Sequence, residues 1–347
     1  MKISQSSLLI IALFFLTPTL IKAQELVITV EEEMAEEKEN KLEISGSIDT
    51  YFRTNLTGDT DLSPSTSFAN LSGFSLGMAN LKVSKDGQKA GFMADLVVGP
   101  RGEDATFNST LLRPEGNSSI VNQLYAYVKL NDKVTATLGN FNTFLGYEMI
   151  SPTENFNYSM SYLFSYGPFS HTGLKLDFET DTGFNIMLGV FNPTDFTEYN
   201  PLDDYVAGAQ VGYSFDQGSI YLNSLFDGDF FQIDLTAGLD VSDKVYIGLN
   251  ASSASDNFVG AAAYLQLQTS DQLKLGTRVE YFSDKGVGVL IKDESIIDLS
   301  FSANYTIGDL VIIPEFRIDV ASQDIFADDT DFNSSLASFI LAAVYGF

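Results

Sequence analysis

The chain has 347 residues with no Cys and no Trp but 28 Phe, 16 Tyr and 27 Gly, a mix that favours strands and turns. Without Cys there are no disulfides, thiolate metal sites or cysteine nucleophiles. The 46 Asp plus Glu against 19 Lys plus Arg (formal charge −27) exclude a nucleic-acid partner, because the phosphate attraction would become repulsion. Since 45% of residues are hydrophobic, the acidity is not that of a disordered chain, and the protein is expected to be apolar in one place and acidic in another.

Residues 1–23 read as a cleaved signal peptide. Met1-Lys2 is a positive start, Leu8 to Leu20 an apolar run broken late by Thr17-Pro18, and Ala23-Gln24 a small-residue cleavage point with Ile21 three before the cut. The run is shorter than the roughly 20 residues of a membrane-spanning helix, and no Cys follows it to carry a lipoprotein anchor. No later stretch approaches helix-spanning length, so any later membrane span must be built from strands. Residues 24–41 carry Glu25, Glu31, Glu32, Glu33, Glu36, Glu37 and Glu39, whose like charges oppose a helix, and read as an acidic periplasmic linker.

Residues 42–347 read as one outer-membrane β-barrel. Runs that alternate apolar and polar are separated by turn signals, and sixteen strands are predicted. They span 42–57, 70–84, 89–99, 120–131, 133–143, 170–180, 183–192, 205–216, 218–227, 230–241, 244–254, 257–269, 272–283, 295–306, 310–321 and 335–347. Connections after even strands are tight, as at Asp86-Gly87, Asn131-Asp132 and Gly308-Asp309. Those after odd strands are mostly long and acidic, although Asp227-Gly228-Asp229 and the link near Asp256 are short. Short turns on one rim and long loops on the other is the arrangement of transmembrane antiparallel up-and-down barrels, with the turns in the periplasm and the localisation the outer membrane of a Gram-negative cell.

Charge tests the alternation, because Lys or Arg on a lipid-facing parity costs about 2–4 kcal/mol at mid-bilayer. In the tenth strand Phe231, Ile233, Leu235, Ala237, Leu239 and Val241 alternate with Gln232, Asp234, Thr236, Gly238 and Asp240. The apolar parity is free of charge throughout, except that Phe74, Leu76 and Met78 fall out of phase with Leu81 and Val83, which predicts a bulge in the second strand. A soluble antiparallel sandwich would alternate too, but the strand lengths and the last strand favour the barrel. There Phe339, Leu341, Ala343, Tyr345 and a terminal Phe347 resemble the signal by which the barrel-assembly machinery recognises outer-membrane proteins.

A resemblance supports this reading. Gly139-Asn140-Phe141, Phe144 to Glu148, Tyr158 to Ser161, Gly167 to Gly173, Gly189 to Asn192 and Asp195 together resemble the OmpL-like β-barrel porins, over nearly the whole mature chain. The resemblance implies a pore-forming outer-membrane barrel and supplies neither a substrate nor functional residues.

The polar parity gives the candidate lumen. It places Asp49, Asp95, Asp177, Asp234, Asp240, Glu280, Asp298, Glu315 and Asp319 inside with Arg53, Lys129, Lys175, Lys274, Arg278 and Arg317. Acids outnumber bases, so modest cation preference is expected. The loop 144–169 is the longest, and carries Tyr147, Glu148 and Glu154 as a candidate constriction. Folded inward it would narrow the channel, and packed on the rim it would cap it; both remain open from sequence. The single histidine, His171, lies on the polar parity with no motif naming a Ser partner, so the barrel-hydrolase alternative is weak and no catalytic residue is assigned. One His cannot build a His-based metal cluster. Asp329, Asp331 and Asn333 start like a calcium loop but lack its Gly and terminal Glu, so no metal or other cofactor is expected. The expected function is passive diffusion of small hydrophilic solutes, with a non-conducting anchor or adhesin as the structural rival. Expected partners are outer-membrane lipid and lipopolysaccharide, the assembly machinery, the solutes and, compatibly, further copies of the chain.

Overall fold

The computed structural model describes residues 41–107, 118–200, 203–328 and 331–347. The expected signal peptide and all but Lys41 of the expected linker lie outside the described residues, as does Asp329. The strands are β1 (Leu42–Asn55), β2 (Gly73–Lys85), β3 (Ala90–Val98), β4 (Val121–Asn131), β5 (Val134–Asn142), β6 (Ser170–Glu179), β7 (Phe184–Phe191), β8 (Val206–Phe215) and β9 (Gly218–Asp227). They continue with β10 (Phe230–Ser242), β11 (Val245–Ala254), β12 (Phe258–Gln268), β13 (Leu273–Asp284), β14 (Ser295–Ile307), β15 (Leu310–Ala321), β16 (Phe326–Asp328), β17 (Asp331–Asn333) and β18 (Ser335–Gly346).

All but β16 and β17 close a single antiparallel barrel. Each strand pairs with its neighbours in the chain, β18 follows β15, and β1 closes on β18 from Ser47 opposite Gly346 to Asn55 opposite Ser338. Closure leaves no open edge, which lets strands sit in hydrocarbon with their backbone groups paired. Every barrel strand ends within three residues of its expected span. The outward parity is apolar and bare: Leu188, Val190, Leu222, Val279, Phe316 and Leu341 are 43–55% exposed. Such a continuous apolar surface is untenable in water and suits a membrane.

The expected bulge in β2 is present. Ile48 pairs with Ala79 but Thr50 pairs with Leu76, so β2 carries one residue more than β1 between those pairs. The extra residue rotates the chain, turning Met78 inward at 3% exposure while Leu76 stays outside at 68%. The Asp49 carboxylate fills the gap and accepts the Met78 amide N–H at 2.8 Å.

Two helices, α1 (Pro100–Ala105) and α2 (Tyr162–Tyr166), and the β16–β17 hairpin lie in long connections, where strand periodicity gave no sign of them. The Ser161 hydroxyl caps α2 by accepting the Phe164 N–H.

Candidate functional site: a barrel interior filled on one side

The segment between β5 and β6, residues 143–169, lies inside the barrel and is bound to the inward side chains of β13, β14 and β15. Arg278 of β13 is fully buried, donating to Glu148 at 2.6 Å, to Asp298 at 2.9 Å and to the Ser159 carbonyl at 2.7 Å. Arg317 of β15 reaches Asp298 at 2.8 Å, Asp319 at 2.8 Å and the Met160 carbonyl at 2.6 Å. Carboxylates bind the same segment through its amides. Glu315 accepts the N–H groups of Tyr158 and Ser159, Glu280 those of Tyr162 and Leu163, and Glu148 that of Ser161. The wall thus supplies acceptors for loop N–H groups and donors for loop carbonyls, satisfying backbone that has no strand partner.

Two further connections join the filling. In the connection from β1 to β2, the carbonyls of Leu62, Pro64 and Ser65 accept from Arg53, Tyr162 and Tyr166, and Ser67 N–H donates to Ser165. From α1, Arg101 donates to the carbonyls of Ile150 and Tyr158, with its guanidinium over the rings of Phe68 and Tyr158 at 4.7 and 4.8 Å. Sequence reasoning missed Arg101 and the roles of Tyr158, Ser159 and Tyr162, because loop residues carry no period that assigns them a face.

The expected site residues therefore divide. Arg53, Asp234, Arg278, Glu280, Asp298, Glu315, Arg317 and Asp319 all point inward, yet each is at most 2% exposed. They do not line open space, which corrects the charge count made from parity alone. Asp234, for example, is consumed by the Gly146 N–H and the amides of Asn223 and Asn250. Of the charged residues expected in the lumen, Lys175 and Asp177, paired at 3.0 Å, and Lys129 border an opening. Of the constriction set, Glu148 is buried against Arg278, and Glu154 forms a part-exposed pair with Lys82 at 2.6 Å. Tyr147 borders open space, stacked on Tyr264 at 4.1 Å with its hydroxyl 3.1 Å from that of Tyr246. The apolar parity of β18 faces outward, with Leu341, Tyr345 and Phe347 43–58% exposed.

His171 is enclosed at 1% exposure between Phe144 and Phe191, and its Nε2 lies 3.0 Å from the Thr143 hydroxyl. Among the described residues, no Ser or carboxylate is placed on it as a triad would require. No cluster of metal-binding side chains occurs among the described residues.

Opposite the filling, three contiguous openings of about 600, 410 and 340 Å³ run along the inner faces of β4 to β11. The first and second share Thr135 and Lys175, and the first and third share Gln210 and Tyr221. They reach the short-turn rim at Asp86, Thr180 and Ser219, and at the far end meet a buried apolar cluster of Phe141, Leu145, Met187, Phe191, Val206 and Leu225.

The family model described as "Putative beta-barrel porin-2, OmpL-like" matches residues 41–347. No curated protein matches the sequence. Among solved structures, the barrel is similar to Pseudomonas putida OprB, with TM-score 0.62 and 10% identity over 90% of this chain and 96% of that one. It is also similar to the trimer form of OmpT, an outer membrane protein of Vibrio cholerae (TM-score 0.57, 12% identity, 88% and 99% covered). A mutant of Rh. blastica porin follows at TM-score 0.53 and 14% identity, with 88% and 100% covered. At these identities the likeness is one of fold.

Proposed function

This chain belongs to the OmpL-like β-barrel porin family, and on that footing we propose that it is an outer-membrane channel for passive diffusion of small hydrophilic solutes. The observation that carries the reading is the polar passage along β4 to β11, left beside a loop that occupies only part of the interior. Barrels of 16–18 strands are wide enough to hold both a folded-in segment and water. The inward segment narrows the channel and Tyr147 stands at its edge. A solute crossing the barrel must pass the buried Phe141–Phe191 cluster at the far end, and on this reading that cluster limits the current. We assign the short-turn rim to the periplasm and the long connections to the cell exterior.

Ion preference is set by the side chains that border the passage, Asp86, Asp177 and Glu179 against Lys129 and Lys175. One excess acid gives a modest preference for cations, which salt screens because the Debye length is about 8 Å at physiological ionic strength. His171 acts as packing, and this reading assigns it no catalytic role. Assembly into trimers, as in the OmpT trimer form, would seat the apolar outer wall of one barrel on another.

The test is single-channel recording of the refolded protein in a planar bilayer across a KCl gradient. Discrete steps with a small cation-selective reversal potential that fades with salt support the reading. A barrel that seals the bilayer points to an anchor, and anion selectivity removes the charge assignment.

A further inference from the structure

The passage has a feature that ion conduction does not require. Several inward tyrosines pack along the barrel wall, each over a glycine of the next strand: the ring of Tyr221 over Gly212, and the hydroxyl ends of Tyr127 and Tyr246 over Gly91 and Gly238. A Cβ at any of these glycines would overlap the tyrosine. Held against the wall in this way, Tyr127, Tyr221 and Tyr246 leave ring surface on the openings they border. Between them stand neutral hydrogen-bonding groups, chiefly Gln123, Thr135, Asn185 and Gln210. Both bordering lysines are already matched, Lys175 with Asp177 and Lys129 with Asp86.

We infer that this wall is a binding path for neutral carbohydrate, with Tyr221 at its centre. A pyranose ring has an apolar C–H face that stacks on an aromatic ring and a hydroxyl rim that pairs with amides and hydroxyls, which is what this wall presents. A phosphorylated solute would need unpaired cations, and both bordering lysines have partners. An apolar solute would strand the amides without hydrogen bonds. Tyr221 borders both the largest of these three openings and the one that reaches Tyr147 and Tyr246, and its hydroxyl lies 3.2 Å from that of Ser214 at the edge of the ring.

The inference rests on the channel reading, and the experiment separates the two. Maltose is added to the refolded barrel in a bilayer and the half-blocking concentration read from the current, with sorbitol as an open-chain polyol without a stacking face. The same maltose is titrated calorimetrically into the detergent-folded barrel. Saturable block by maltose, weaker block by sorbitol and a measurable heat of binding are expected. Tyr221→Leu should raise the half-blocking concentration about two- to tenfold, the range a lost aromatic stack implies, while Tyr221→Phe stays close to wild type. Equal block by the two polyols, or unchanged block in Tyr221→Leu, overturns the carbohydrate path while leaving the channel. A non-conducting barrel overturns the channel reading, and absence of calorimetric binding then overturns the path as well.

Discussion

At the scale of single residues, Glu148 and Glu154 look alike in the sequence, two acids in one aromatic loop, but the structure gives them different energetics. Glu148 is 5% exposed, held by Arg278 and by both the amide and the hydroxyl of Ser161. Removing one partner of a buried ion pair costs about 3–5 kcal/mol, because the other charge is left without compensation. Glu154 and Lys82 keep 38% and 21% of their side chains exposed, and such pairs contribute up to about 1 kcal/mol. Glu148→Ala should therefore expose residues 144–169 to protease in the folded barrel and raise conductance, whereas Glu154→Ala should do neither. Equal protease sensitivity of the two variants would contradict the pinning role of Glu148.

Asp195, in the connection after β7, is a second residue whose environment sets its behaviour. Its Oδ1 accepts the N–H groups of both Phe169 and Ser170 at 2.8 Å, yet burial pushes its carboxyl up from 3.8 to about 6. A carboxyl raised on folding binds more protons in the folded state between those two values. Its contribution to stability is thus greatest in acid and is lost as pH rises from about 4 to 6. Asp195→Asn keeps the oxygen that accepts both bonds and suits the positive φ of 66°. Relative to wild type it should gain stability by about 1–3 kcal/mol across that window, with the difference flat above it. Denaturant unfolding at pH 4, 5, 6 and 7 measures this, and a difference independent of pH would refute it.

At the scale of elements, strands were legible and loops were not. A strand with one face in lipid and one in the interior must alternate, so period two, turn residues and charge parity located every barrel strand, even the bulge in β2. Parity also told which way Arg278, Glu280, Glu315 and Arg317 point. It could not tell that a distant segment covers them, since Tyr158 meets Glu315 across 157 positions with no local pattern to announce it. Helices α1 and α2 are each under two turns, too short for helical periodicity. The last strand combines both kinds of information. Phe347 closes the ladder with Gly46 through N–H···O bonds of 3.0 Å in both directions, and its ring lies over that glycine. Deleting Phe347 should reduce the heat-shifted folded form in membrane fractions without altering export across the inner membrane. An unchanged yield would show that neither the closing pair nor the terminal aromatic matters to assembly.

For the whole molecule, the central claim is that the interior is two unlike halves. One is filled by residues 143–169 and sealed by buried ion pairs; the other is a polar passage along β4 to β11. The acidic composition follows from this division in part, since several carboxylates bind backbone amides rather than solutes. The absence of native Cys makes the claim directly measurable. Gln210→Cys places a thiol on the passage and Ser300→Cys one behind the docked segment, where Ser300 is 0% exposed. A charged methanethiosulfonate reagent applied during single-channel recording should modify Gln210→Cys within seconds and lower its current, and leave Ser300→Cys unchanged. Modification of both, or of Ser300→Cys alone, would contradict the account.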